Sequence, residues 1–191
     1  KFFKTKYLFN KISLHSVSEE ILNVRPQISE LGYFYDYSKE DVEKIKNKNL
    51  DVIIRMGSGI IKGEILNASK QGIFSFHHGD NQYFRGGPPG FWEVYFNKPL
   101  TGFIIQKLNN VLDGGEILFK GQVQTKYHYY LNQRSIFKNS AKYLANVLLG
   151  LQQGKLKLNK NDISSVKIFK DPKLSETYNY IIKTYFRLIK K

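Results

Sequence analysis

An α/β protein, with a mostly parallel sheet flanked by helices, is the fold class that this sequence predicts, and three observations predict it. Leu50-Asp51-Val52-Ile53-Ile54-Arg55 is a short β-branched run bounded by Gly57 and Gly59, the pattern of a strand buried on both faces. After a short helical stretch near 62–69 comes a second apolar run, Gly72 to His77, in βαβ order. Further on, Leu144, Val147, Leu148 and Leu151 make the apolar stripe of a long helix within Tyr127–Gln152.

The remaining elements follow in order. Residues 1–12 have mixed helical periodicity, and residues 13–35, with Pro26 and Gly32, read as connection with one short strand. Ser38 stands three residues before Asp41, as in a capping box, and Val42 and Ile45 place a helix near 39–47. Pro88-Pro89 halts the chain before a helix over Gly90 to Asn97 that packs Phe91, Val94 and Tyr95 inward. Trp92 and Phe96 lie in the same helix, and these aromatics read as core. Thr101–Leu108 and Glu116–Thr125 read as strands flanking a tight turn, Leu112-Asp113-Gly114-Gly115. A last helix is placed at roughly 174–190.

Composition bounds the function. A chain of 191 residues, 41% hydrophobic, is long enough for one domain with a sizeable core. It has no cysteine, which excludes a disulfide framework and a thiolate metal site and makes cytoplasm the default compartment. No apolar stretch is long enough to insert into a membrane. The net charge of +14 favours anionic partners, but the lysines are scattered, so a long nucleic acid is not the expected ligand. The chain opens on Lys1 in mid-pattern and is expected to be part of a longer protein.

The chemistry concentrates between residues 72 and 121. One apolar run delivers His77 to a loop, and 36 residues later the Asp113 turn ends a second one, so an imidazole and a carboxylate can meet as an acid/base pair. Arg85 precedes the rigid loop Gly86-Gly87-Pro88-Pro89, where its guanidinium can pair with a substrate phosphate, and His78 is taken with it as a substrate contact. Gly57-Ser58-Gly59 superficially resembles a dinucleotide loop, but no ribose-binding acid ends the next strand. His78, Asp80 and His128 have the order of an iron-binding triad, and the βαβ pattern argues against the all-β scaffold such triads occupy, so no metal is expected.

The residues Ser75-Phe76-His77, Arg85-Gly86 and Asp113-Gly114-Gly115, continued by Glu116-Ile117-Leu118, resemble the formyltransferases that use 10-formyltetrahydrofolate, among them methionyl-tRNA and sugar N-formyltransferases. The resemblance runs from about Asp51 to Gly121. It implies a Rossmann-like formyltransferase fold, incomplete at the N-terminus, over residues 1–155, with the first βαβ unit largely missing and residues 156–191 a helical extension. It also implies formyl transfer from 10-formyltetrahydrofolate to a primary amine. His77 would be the electrophilic catalyst, Asp113 its charge partner and proton acceptor, and Ser75 would stand where the family has asparagine. Gly59, Ile60, Ile61, Leu112 and Asp113 would line the folate pocket, Gly59 by leaving space. The family's Ser-Leu-Leu-Pro loop is replaced by Gly79-Asp80-Asn81-Gln82, which favours a small amine acceptor, an amino sugar free or linked to a nucleotide. The alternatives left open are tRNA formylation, hydrolysis of formyltetrahydrofolate, and a non-catalytic folate- or anion-binding module; the sequence leaves the oligomeric state undetermined.

Overall fold

A computed structural model describes residues 16, 18–57, 59–161 and 167–189. The helical reading of residues 1–12 lies outside them. The elements are β1 (Gln27–Ile28), β2 (Phe34–Asp36), α1 (Lys39–Lys46), β3 (Ile53–Arg55), β4 (Ile60–Ile61), a 3-10 turn (Glu64–Asn67), β5 (Ile73–His77), β6 (Arg85–Gly86), α2 (Phe91–Tyr95), β7 (Leu100–Lys107), β8 (Glu116–Gln124), α3 (Tyr129–Gln152), β9 (Ile168–Phe169) and α4 (Leu174–Ile189). The central sheet has the order β3-β5-β7-β8.

The α/β class is observed, with parallel and antiparallel pairs side by side, the short β1/β2 pair being antiparallel. The short pairs β3/β5, β2/β4 and β6/β9 are parallel. The long strands β7 and β8 are antiparallel, and β5 pairs antiparallel with β7. The physical reason is the link from Lys107 to Glu116, which is a hairpin-sized turn and too short for the crossover that a parallel pair requires. The central sheet is therefore mixed from β5 onward.

Each face of that sheet is covered. Phe74, Ile105 and Leu118 pack against Val147 of α3, with Phe76, Leu144, Leu148 and Leu151 around them. On the other face Ile73 packs with Val42 of α1 and with Ile65 and Leu66 of the 3-10 turn. Phe103, Ile104 and Ile105 of β7 are completely buried, as expected of a strand covered on both sides. Burying each such side chain contributes about 1.5–3 kcal/mol. The Ser38 hydroxyl accepts the Asp41 N–H at 3.1 Å, so the cap read from the sequence is present, and such caps contribute about 1 kcal/mol.

Residues beyond 155 do not form a separate body. Asn159 bridges to Ile117, β9 pairs with β6, and Lys183 and Arg187 of α4 donate to the carbonyls of Tyr95 and Val94 at the end of α2. The expected boundary at residue 155 therefore cuts through a packed unit whose aromatic layer joins Phe84, Trp92, Phe96 and Phe169.

Candidate active site

β5 is the base of the site. Because successive residues of a strand face opposite sides, Ser75 and His77 share one face and Phe74, Phe76 and His78 the other. His77 ends β5, opposite Ile104 of β7. Asp113 is brought to it by the turn after β7, with φ of 51°, a left-handed conformation that asparagine and aspartate tolerate better than other side chains. Gly114 N–H closes that turn on the Val111 carbonyl at 3.0 Å, and Asn109 braces it from both sides. Gly115 has no substitute, since a Cβ there would sit 2.1 Å from the Lys107 carbonyl oxygen.

His77 Nδ1 lies 3.4 Å from Asp113 Oδ1, with 7% and 15% of the two side chains exposed. Burial pushes the Asp113 carboxyl upward, but the hydrogen bond and charge of His77, the charge of Arg85 and the Gly86 N–H outweigh burial, so its pKa falls below the ordinary value. The carboxylate is thus kept ionised beside the imidazole. With Nδ1 turned to Asp113, Nε2 is the nitrogen left for a ligand, and it is buried without a partner among the described residues.

The orphaned atoms are not scattered. Four of the six buried side-chain N and O atoms without a partner, among the described residues, are His77 Nε2, Asn81 Oδ1, Arg85 Nε and Gln106 Oε1. Asn81 Nδ2 donates to the Asp113 carbonyl at 2.8 Å, Arg85 Nη2 donates to the Leu112 carbonyl at 2.6 Å, and Gln106 Oε1 lies 3.3 Å from where a Gly115 Cβ would stand. All four residues thus gather on the Asp113 turn. Each unpaired buried group costs about 1–3 kcal/mol, so their concentration marks a place where a ligand completes the bonding.

The other expected site residues are placed as follows. Ser75 is buried, with Arg55 Nη1 3.5 Å from its hydroxyl. Arg85 is committed through one nitrogen to the turn, which makes it first a brace of Leu112 and Asp113 and only through its remaining N–H groups a contact for anions. His78 does not join the site. It lies on the far face, its Nε2 2.9 Å from the Ser140 hydroxyl and its ring stacked on Phe76, and burial followed by the charge of His77 lowers its pKa to about 4. His128 caps α3, and no group of metal-binding side chains forms among the described residues.

The folate-pocket residues need correction in detail. Gly59 does not leave open space, because a Cβ there would lie 2.7 Å from the Tyr35 ring, which fills the position. Ile60 and Ile61 form β4, and the N–H groups of Ile60 and Lys62 are spent on the Tyr33 and Tyr35 carbonyls of the β2 segment. Ile61 does line a cavity of about 530 Å³ with Leu22, Tyr37, Ile53, Arg55 and Ile73. The ion pair Lys48–Glu20 lines it too, so a largely apolar cavity carries three charged groups, of which Arg55 links it to Ser75.

Sequence reasoning missed Asn81, Asn161, Gln106 and Glu93 as parts of this region. Asn161 Nδ2 donates to the Asp113 carbonyl at 2.8 Å from a distant part of the chain, and no local signal reveals it. Glu93 was legible as a single polar residue inside the apolar run Phe91-Trp92…Val94, whereas Gln106, followed by Lys107, stands where the run Phe103-Ile104-Ile105 ends and gives no such signal. Glu93 is 2% exposed, and burial lifts its pKa to about 7.

No family model matches the chain. In sequence it is similar to methionyl-tRNA formyltransferases of Bacillus thuringiensis (strain Al Hakam) and Bacillus cereus (strain B4264), 32% identical over 87 residues, which is 45% of this chain and 28% of each relative. In structure it is similar to methionyl-tRNA formyltransferase from Clostridium thermocellum, with 21% identity, a TM-score of 0.52 and 75% and 67% of the two chains covered. The formyltransferase PseJ from Anoxybacillus kamchatkensis matches at 25% identity and a TM-score of 0.51 over 70% and 71%. This chain has the formyltransferase fold. The matched stretch spans little more than a quarter of the curated relatives.

Proposed function

We propose that this chain is the catalytic part of an enzyme that transfers a formyl group from 10-formyltetrahydrofolate to a primary amine of an amino sugar, free or nucleotide-linked. The observation that carries the reading is the buried pair His77 and Asp113 at 3.4 Å, set among side-chain atoms around the Asp113 turn that have no partner among the described residues. Tyr37, Ile61 and Arg55 would hold the folate ring, and the bound cofactor supplies the formyl group.

Attack of an amine on the formyl carbon would form the new C–N bond, build negative charge on the formyl oxygen and leave a proton on the nitrogen, and transfer would be complete when the carbon's bond to folate N10 breaks and N10 takes that proton. His77, with Nδ1 held by Asp113, directs Nε2 as donor to that oxygen. Asp113, kept ionised by His77, Arg85 and Gly86, stabilises the charged imidazole and accepts the amine proton directly or through a water. Ser75 adds a hydroxyl donor on the same face. Arg85 steadies the turn that carries Asp113 and, through its remaining N–H groups, meets an anionic part of the acceptor.

Support for the acceptor class comes from PseJ, solved in complex with UDP-4,6-dideoxy-4-formamido-L-AltNAc and tetrahydrofolate. The 32% identity to methionyl-tRNA formyltransferases keeps tRNA as the second reading. The test is calorimetry of the chain with tetrahydrofolate, followed by a transfer assay offering a UDP-linked amino sugar or methionyl-tRNA. Folate binding with formylation of the sugar is the expected result. Tight tRNA binding that survives physiological salt would move tRNA to first place, because several phosphate contacts otherwise give a steep salt dependence. Failure to bind folate would remove the reading altogether.

A further inference from the structure

A row of side chains crosses the sheet at the level of Ser75. The register pairs Arg55 with Ser75 and Ser75 with Gln106, so these three share the site face, one pleat behind His77. Directly opposed residues on neighbouring strands hold their Cβ atoms about 4.5–5.5 Å apart, which brings the longer Gln106 side chain across the Ser75 hydroxyl. The register slips between Ile105 and Gln106, and such bulges redirect a side chain, often next to an active site.

Gln106 is 2% exposed, and its Oε1 has no partner among the described residues. An apolar residue there would remove that cost, since Phe103, Ile104 and Ile105 before it are all apolar and fully buried. The amide lies against Gly115, in the turn that delivers Asp113. A terminal amide exchanges its oxygen and nitrogen by a half-turn, so this position can present either an acceptor to an attacking amine or an N–H donor to the formyl oxygen.

We propose that Gln106 is a third polar contact to the reacting formyl group, its amide supplying from β7 the donor that the single hydroxyl of Ser75 supplies incompletely from β5. This assignment rests on the formyl-transfer reading. It explains why a strand otherwise built for burial carries an amide at the one residue opposite Ser75.

The experiment compares two stable folate analogues, one carrying a formyl group on N10 and one without it, titrated into the full chain and into Gln106→Met, which conserves volume and removes the amide. The wild-type chain is expected to prefer the formylated analogue. Gln106→Met should lose at least about tenfold of that preference with unchanged affinity for the unformylated analogue and a melting temperature no lower than that of the wild-type chain, since the unpartnered amide is removed. Adding Ser75→Asn should restore the preference by returning an amide to the row. Gln106→Asn, which withdraws the amide by one carbon, serves as a second variant and should fall between the two. If Gln106→Met and Gln106→Asn keep the full preference, the assignment is overturned and formyl transfer stands. If the wild-type chain binds neither analogue, both fall.

Discussion

Ser75 and His77 project from one face of β5, and Phe74, Phe76 and His78 from the other. The two histidines are adjacent in sequence and differ in almost every physical respect. His78 is packed between Phe76 and Phe137 and has the Ser140 hydroxyl at one ring nitrogen. His77 has a carboxylate at Nδ1 and nothing at Nε2 among the described residues. One face is complete as it stands and holds the sheet to α3. The other is left with open hydrogen-bonding capacity around the Asp113 turn, and that difference separates a residue that stabilises from one that acts on a ligand.

The largest expected effects break the comparison from each side. His77→Ala should lower kcat/KM by about 10²–10⁴, the usual contribution of a positioned acid or base, while the melting temperature stays nearly unchanged. Asp113→Ala should do the same, because the imidazole loses its counter-charge. Phe74→Ala, on the opposite face, should cost about 3–5 kcal/mol of stability by leaving a cavity among Ile105, Leu118 and Val147. Steady-state kinetics beside urea melts would show the split. Large stability losses for His77→Ala would make it a packing residue and undo the distinction.

Much of this contrast was legible in the chain. The two apolar runs, one ending at His77 and the other at the Asp113 turn, located the pair, because strand pattern and turn chemistry act locally. What escaped depends on long-range geometry. Gly59 was read as making room for a ligand, and it makes room for Tyr35, which arrives through β2/β4 pairing that no local signal announces. His78 was taken with Arg85 as a substrate contact, although a step of one residue along a strand reverses the face. Asn161 reaches Asp113 because Asn159, two residues before it, bridges to Ile117 in β8.

A smaller pair of effects, opposite in sign, sharpens the comparison through pH. His78 is held neutral by burial and by the charge of His77, with its pKa lowered from 6.5 to about 4. Its contribution to stability is therefore complete above pH 6.5 and is lost as pH falls toward 4, by about 3 kcal/mol. Glu93, lifted by burial from 4.5 to about 7, behaves the other way, its contribution complete below pH 4.5 and lost by a similar amount as pH rises to 7. Denaturant melts of His78→Gln should lose the acid-side decline, and those of Glu93→Gln the decline from pH 4.5 to 7. A wild-type slope that survives either change would assign it to another group.

The smallest expected effect is at Ser75, where the two faces are most nearly in balance. The residue is 4% exposed, like a core position, yet its hydroxyl points to the site face, and its contact with Arg55 Nη1, at 3.5 Å, is at the limit of a hydrogen bond. Ser75→Asn adds a carboxamide beside Gln106, where the Oε1, unpartnered among the described residues, can take one of the new N–H groups and the formyl oxygen the other. Extra volume in a packed row costs about 1–3 kcal/mol of stability unless a new bond offsets it, so the melting point should drop little if the amide is used. Turnover should stay level or rise by up to about tenfold, about 1.4 kcal/mol of barrier. A stably folded Ser75→Asn that loses more than tenfold in kcat at saturating substrate would show that position 75 needs a hydroxyl. The site would then run on a donor set different from the amide-based one of the enzymes it resembles.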